Sequence, residues 1–194
     1  MKAACLALAT AAWIAPAALA CGYHDAVGLN RSALNLAYPE ALHVHTAVWM
    51  AQLEGVIARA DPGTPDDDRP EALRALAAYR DTVGQLGLFR DAADARLGGG
   101  AVPAFTVVLV GPMLWTRFEP VGPRLAMAVH VTGPTPGDVV VVTDKPVVVA
   151  LIEGTLTPRS ARERGLIRFY GEPERVREIA ALVDHVSPTE PLTR

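Results

Sequence analysis

The hydrophobic pattern of the chain changes its period at three consecutive glycines, Gly98-Gly99-Gly100. Before them, apolar residues recur at the three-to-four-residue spacing of a helix face; after them, they alternate as they do along a strand. Glycine loses more backbone entropy on ordering than any other residue, so this run ends the helical part. We therefore predict an α+β fold, with an antiparallel sheet of about five strands covered by helices and an N-terminal helical extension.

The strand predictions rest on alternating apolar residues bounded by Gly and Pro turns. They cover residues 105–110, 113–119, 124–132, 139–142 and 166–170. The turns between the first runs are short, which is typical of an antiparallel meander. The second run carries Leu114 and Phe118 on one face and Met113 and Trp115 on the other. Either protein covers both faces of the sheet, or one face lines a cavity.

The helix predictions rest on caps and breakers. Pro39 and Glu40 suit the first turn of a helix, and the acidic, proline-rich residues 61–68 end it. Asp68 is placed to cap a second helix. Together the signals predict helices over residues 39–60, 69–86, 89–97, 146–153, 158–164 and from 173 onward. The predicted apolar faces of the first two are formed by Leu42, Val44, Val48, Leu53, Val56 and Ile57, and by Leu73, Leu76, Ala77 and Val83.

Residues 1–20 have the layout of a secretory signal: one positive charge at Lys2, an uncharged apolar run, and small residues before Cys21. The same bond suits a bacterial lipoprotein signal, in which the new N-terminal cysteine receives diacylglycerol. Cys5 is removed with the signal, so Cys21 has no disulfide partner and a thioether would protect its thiol. We expect an exported protein, periplasmic or held at the envelope membrane as a lipoprotein. Plain export and a retained anchor are the alternatives, and Pro16 argues against the anchor.

Cleavage leaves 174 of the 194 residues, a length that suits one domain. Without Lys2 there are 17 basic and 21 acidic residues, a net charge of about −4, and there is no basic block. A nucleic-acid partner is therefore not expected. We divide the chain into a signal peptide (1–20), an N-terminal helical extension with a linker (21–68), an α+β domain (69–187) and a tail (188–194).

The order of these elements resembles the sterol carrier protein 2 domain over residues 73–186. The residues that carry the resemblance are Val141-Val142-Thr143, the helix at 146–153, Gly154, Pro158, Ala161, Gly165-Leu166-Ile167, Gly171 and, upstream, Trp115. The resemblance implies a helix-covered sheet with an apolar pocket, in domains associated with lipids, acyl chains or sterols. Some such domains serve only as accessory or dimerising modules. No catalytic residue is implied.

Catalytic motifs are absent from the sequence. There is no Gly-x-Ser-x-Gly elbow, and the glycine run lacks the Lys-Ser/Thr of a phosphate loop. A metal site built from Cys21, His24, His43 and His45 is the chemical alternative, because thiolate and imidazole bind copper or zinc. His43 and His45 point about 200° apart on a regular helix, which argues against one shared ion.

We therefore expect a non-enzymatic protein without a cofactor that binds a small apolar, acyl or sterol-like ligand at the envelope. Its membrane partner would be reached through the lipid on Cys21. The expected pocket lining is Trp115, Phe118, Met127 and Ile152. The other hypotheses are an envelope interaction or scaffold protein without ligand, whose protein partner the sequence does not name, and the metal-binding accessory protein.

Overall fold

The structure, a computed structural model, describes residues 34–59, 70–97 and 102–186. The predicted signal peptide, Cys21, His24, most of the predicted linker and the tail lie outside these ranges. One helical turn at residues 34–37 comes first. The elements that follow are α1 (Ala41–Leu53), α2 (Glu71–Leu97), β1 (Phe105–Leu109), β2 (Leu114–Val121), β3 (Arg124–Val129), β4 (Val139–Thr143), α3 (Lys145–Ile152), α4 (Pro158–Glu163), β5 (Arg168–Tyr170) and α5 (Pro173–Asp184).

The five strands form one sheet in the order β3-β2-β1-β4-β5. The first three strands are the predicted antiparallel meander, and β5 is antiparallel to β4. The sheet is not wholly antiparallel, however, because β4 pairs with β1 in parallel. Every residue of β1 and β4 is buried, as is typical of strands covered on both faces. The α+β fold class is thus confirmed, with one parallel pair at the centre of the sheet.

Helices cover both faces of the sheet. We call the side that carries Val107 of β1 the α2 face, because Leu86 and Phe89 of α2 and Val148 of α3 line a small cavity there together with Val107. The opposite side carries Val108 and its cross-strand partner Trp115. We call it the α1 face, since α1 and the turn before it pack on this side. The ring centroid of Tyr38 lies 6.1 Å from that of Trp115 and 5.2 Å from that of Tyr170.

The N-terminal helical extension shares its core with the sheet. Ala41, Val44, Val48 and Ala51 of α1 are buried in the same hydrophobic cluster as the strands. This stripe differs from the predicted one, in which Leu53 was a member: Leu53 is 46% exposed. Because apolar residues occur on opposite sides of α1, the periodicity of the sequence does not show which side faces inward.

The long helix α2 replaces two predicted helices, and it runs for 27 residues, about 40 Å, without a break. Gly84 and Gly87 lie within it and do not end it. The reason is tertiary: a buried stripe of Thr82, Leu86, Phe89 and Ala93 continues across both glycines. Residues 71–76 at its N-terminal end are all exposed, so the predicted apolar face at Leu73 and Leu76 is not buried.

Side chains cap the N-terminal ends of the later helices. The Thr157 hydroxyl accepts the amide of Ser160 (3.2 Å) at the start of α4. Glu172 accepts the amides of Glu174 and Arg175 at the start of α5. Gly154 ends α3 with φ +71°, a conformation that glycine adopts without strain. Each of these bonds satisfies backbone groups that a helix end leaves without an internal partner.

Candidate ligand site between the sheet and helix α2

A cavity of about 10 Å³ lies between the α2 face of the sheet and the helices above it. Its lining is entirely hydrophobic apart from one threonine, and consists of Leu86, Phe89, Val107, Val141, Thr143, Val148, Leu151 and Ile167. A volume of this size is about that of one water molecule, whereas drug-sized ligands occupy roughly 300–1,000 Å³. In this conformation the layer is therefore closed.

Thr116 is the polar side chain that stands out beside this cavity. It lies directly opposite Val107 in the β1–β2 pair, on the same face of the sheet, and is fully buried. Its Oγ1 has no hydrogen-bond partner. In contrast, the hydroxyl of the cavity-lining Thr143 donates to the carbonyl of Leu166 at 3.0 Å. A buried hydroxyl without a partner costs about 1–3 kcal/mol, so Thr116 is a polar group that the folded protein leaves available.

Aromatic rings surround Phe118, two residues further along the same face. Phe118 stacks on Phe105, with centroids 4.9 Å apart and planes 11° apart. Phe89 of α2 meets Phe118 edge-on, with centroids 5.8 Å apart. This trio fixes the position of α2 over β1 and β2, because offset-stacked and edge-on pairs add to the stability gained by burial.

The four residues predicted to line a pocket do not share one site. Phe118 and Met127 are cross-strand partners on the α2 face. Trp115 lies on the α1 face, against Tyr38. Ile152 is half-buried at the last residue of α3. None of the four lines the 10 Å³ cavity. Strand alternation alone predicts the separation of Trp115 from Phe118, but the unpartnered Thr116 has no signal in the sequence.

The most strongly bonded carboxylate belongs to Asp138, before β4. Its side chain is 3% exposed and accepts from Arg117 Nε (2.9 Å), the Thr106 hydroxyl (2.9 Å) and the Thr135 amide (3.1 Å). Burial alone would raise the pKa of Asp138, but these hydrogen bonds and the charge of Arg117 outweigh it and lower the pKa. The bonds to Thr106 of β1 and Arg117 of β2 join these strands to the start of β4, so this carboxylate has a structural role.

The predicted metal ligands are only partly within the described ranges. His43 and His45 lie on the exposed side of α1, and His45 Nδ1 is 3.8 Å from Asp144 Oδ2. Asp144 already accepts the amides of Gly111 and Lys145. Nowhere in residues 34–59, 70–97 and 102–186 do three His, Cys, Asp or Glu side chains gather as metal ligands. Cys21 and His24 lie outside these ranges.

No helix in the part of the chain that the structure describes combines the length and the apolar character needed to cross a bilayer. Comparisons of the chain with protein-family models, curated proteins and solved structures give no match. The features of the described residues that bear on function are the closed apolar layer, the hydroxyl of Thr116 without a partner and the exposed apolar surface.

Proposed function

We propose that the protein is a non-catalytic binding protein of the cell envelope, whose ligand is a small acyl or sterol-like molecule with one polar group. The observation that carries this proposal is the buried Thr116 hydroxyl, which has no partner and lies directly across the strand pair from Val107 in the wall of an apolar cavity. A hydroxyl or carboxylate of the ligand would form a hydrogen bond with the Thr116 hydroxyl, while Val107 and Phe118 would contact the apolar part of the ligand. Ligand sites typically pair apolar walls with few polar groups in this way.

The order of elements supports the same proposal. A helix, three antiparallel strands, a fourth strand, two short helices, a fifth strand and a last helix follow one another along the chain. This is the order on which the resemblance to the sterol carrier protein 2 domain rests, and that resemblance implies an apolar pocket under the helices.

Ligand entry requires movement, because a 10 Å³ cavity admits no acyl chain. Helix α2 is the element we expect to move. Its first six residues are exposed, and Asp81 holds it to Lys145 of α3 by a half-exposed ion pair. Exposed ion pairs contribute little to stability, so the Asp81–Lys145 pair would resist the movement of α2 only weakly.

The experiment that tests the proposal compares Thr116→Val with Thr132→Val, a matched change at an exposed threonine. Binding of a fluorescent fatty acid is measured on both. We expect Thr116→Val to weaken binding about fivefold to tenfold while it stabilises the empty protein, since valine removes the unpartnered hydroxyl. Thr132→Val should change neither. Equal affinity of the two variants for the fatty acid would refute the assigned role of Thr116.

Native mass spectrometry of protein purified from a bacterial envelope distinguishes the alternatives. A copurified acyl or sterol mass supports the proposal. Protein that is empty but holds one specific partner supports the interaction or scaffold hypothesis instead, and a retained copper or zinc ion supports the metal-binding one.

A further inference from the structure

Helix α1 is apolar on two opposite sides, and only one of them is covered. The inner side is buried against the sheet. The opposite side carries Leu42, Trp49, Met50 and Leu53, spaced i, i+7, i+8 and i+11, and we call these four residues the outer face of α1. Leu42 at one end of this face is half-buried against the core. Trp49 is 57% exposed, Met50 43% and Leu53 46%. A cluster of exposed apolar side chains on one helix face is typical of a surface that another molecule covers, and Trp49, Met50 and Leu53 have no such cover within the described residues.

The absence of charge distinguishes this face from other exposed apolar residues. Residues 41–53 contain no Asp, Glu, Lys or Arg. The exposed leucines of α2, by comparison, are separated by Arg74, Arg80, Asp81 and Arg90. Placing a charged side chain in an apolar medium is costly. Contact with hydrocarbon would therefore bury no charged residue of α1, whereas it would bury several charged residues of α2.

A second copy of the chain is a poor occupant. The outer face exposes an apolar area on the order of a few hundred Å², whereas a stable interface buries about 800 Å² on each partner. A lipid surface sets no such minimum when the protein is tethered beside it. Trp is also the side chain most suited to the boundary between headgroups and acyl chains.

We infer that the outer face of α1 lies on the surface of a lipid bilayer, with the ring of Trp49 at the headgroup boundary. This inference uses the lipid attachment proposed at Cys21. Twelve residues lie between Cys21 and Leu34, and the thirteen Cα-to-Cα steps between the two span at most about 45 Å. A tether of this length gives an effective concentration on the order of millimolar, so a weak apolar contact is occupied. The inference does not depend on the ligand proposed for the interior.

The test uses the mature chain from Cys21, which contains every element of the fold. Cys21 is its one thiol, so it is coupled to a maleimide-headgroup lipid in phosphatidylcholine vesicles whose acyl chains carry bromine, a short-range quencher of tryptophan. Two variants each keep a single tryptophan of the mature chain: Trp115→Phe leaves Trp49, and Trp49→Phe leaves the buried Trp115. Because the tether is made chemically, natural lipidation is not needed.

We expect the fluorescence of Trp49 to fall about twofold on brominated relative to ordinary vesicles, as for a ring at the acyl boundary, and that of Trp115 to stay unchanged. Adding Met50→Ser and Leu53→Ser to the Trp49 variant should abolish the quenching. Leu88→Ser, at an equally exposed leucine of α2, should leave it intact.

Equal quenching of Trp49 and Trp115 would overturn the inference. So would tethered protein that dimerises through α1 and shields Trp49 from bromine, since a second copy would then be the cover. Fatty-acid binding by Thr116→Val is measured separately, so the two proposals fail independently.

Discussion

The guanidinium of Arg117 on β2 donates through Nε to Oδ2 of Asp138 at 2.9 Å, from a residue 21 positions earlier in the chain. Asp138 stands just before β4, so this contact joins the meander to the strand that crosses over to pair with β1. The Arg117–Asp138 ion pair therefore stabilises the position of β4 beside β1, which is the one parallel pairing among the strands described.

Asp138 makes stability depend on pH in the acidic range. Its pKa in the folded protein lies below the ordinary value of 3.8, so the unfolded chain binds the proton more readily. The stabilisation is fully present above that ordinary value and is lost as the pH falls through the lowered pKa. We expect Asp138→Asn to reduce the free energy of unfolding at pH 7 by about 2–3 kcal/mol and to flatten its decline in acid. Urea unfolding at pH 7 and pH 3 measures both effects.

The control for this prediction is Asp91→Asn, whose carboxylate is 61% exposed and pairs with the neighbouring Arg90. This variant should unfold like the parent protein at both values of pH. If Asp138→Asn keeps the full acid dependence, another carboxylate is responsible for it.

Gly111 is required by its contact with Asp144. A Cβ on residue 111 would lie 2.9 Å from both carboxylate oxygens of Asp144, closer than real Cβ contacts. Gly111→Ala would displace the carboxylate that caps α3, and we expect a loss of about 2–3 kcal/mol in the free energy of unfolding. Gly84→Ala is the matched change, because its Cβ meets nothing within 4 Å in the middle of α2. It should stabilise the protein by about 0.5–1 kcal/mol. Thermal unfolding of the two variants should shift in opposite directions.

Helix α1 is a structural part of the domain, and a charge on its inner side should unfold the protein. Val44 is fully buried, whereas Thr46 is exposed on the same helix. Val44→Asp places an unpaired carboxylate against the sheet, at a cost of about 3–5 kcal/mol or more. Thr46→Asp should stay within about 0.5 kcal/mol of the parent. Limited proteolysis and circular dichroism measure the difference. A stable, folded Val44→Asp variant would show that α1 is an independent appendage.

Phe118 holds α2 on the sheet through its contacts with Phe89 and Phe105. We expect Phe118→Ala to lower the free energy of unfolding by about 3–5 kcal/mol, because it leaves a cavity and removes both ring pairs. Val121→Ala, at the 60% exposed end of the same strand, should change it by less than about 0.5 kcal/mol. Similar urea midpoints for the two variants would contradict the packing described.

The sequence predicted local features well and long-range pairing poorly. Alternation identified the strands and placed Trp115 and Phe118 on opposite faces, because side-chain direction in a strand is a local property. The parallel β1–β4 pair was missed, since alternation does not specify which strands are neighbours. The break predicted within α2 failed for a related reason: the buried stripe of Leu86 and Phe89 outweighs the low helix propensity of Gly84 and Gly87.

The candidate site was predictable to a similar degree. Phe118 and Met127 share the α2 face, as the period of two indicates. Two features depend on which groups surround a residue in space. Thr116 has no hydrogen-bond partner, and Trp49 and Leu53 are exposed. Sequence spacing carries no information on either point.

Contacts between the two ends of the chain have a kinetic consequence. The Tyr170 hydroxyl donates to the carbonyl of Pro39, 131 residues away, and Arg164 pairs with Glu54 across 110 residues. Helix α1 therefore completes its packing only after nearly all of the polypeptide is available. Because the entropy of closing loops longer than about 100 residues must be lost before these contacts form, we expect the N-terminal helix to be among the last elements to dock.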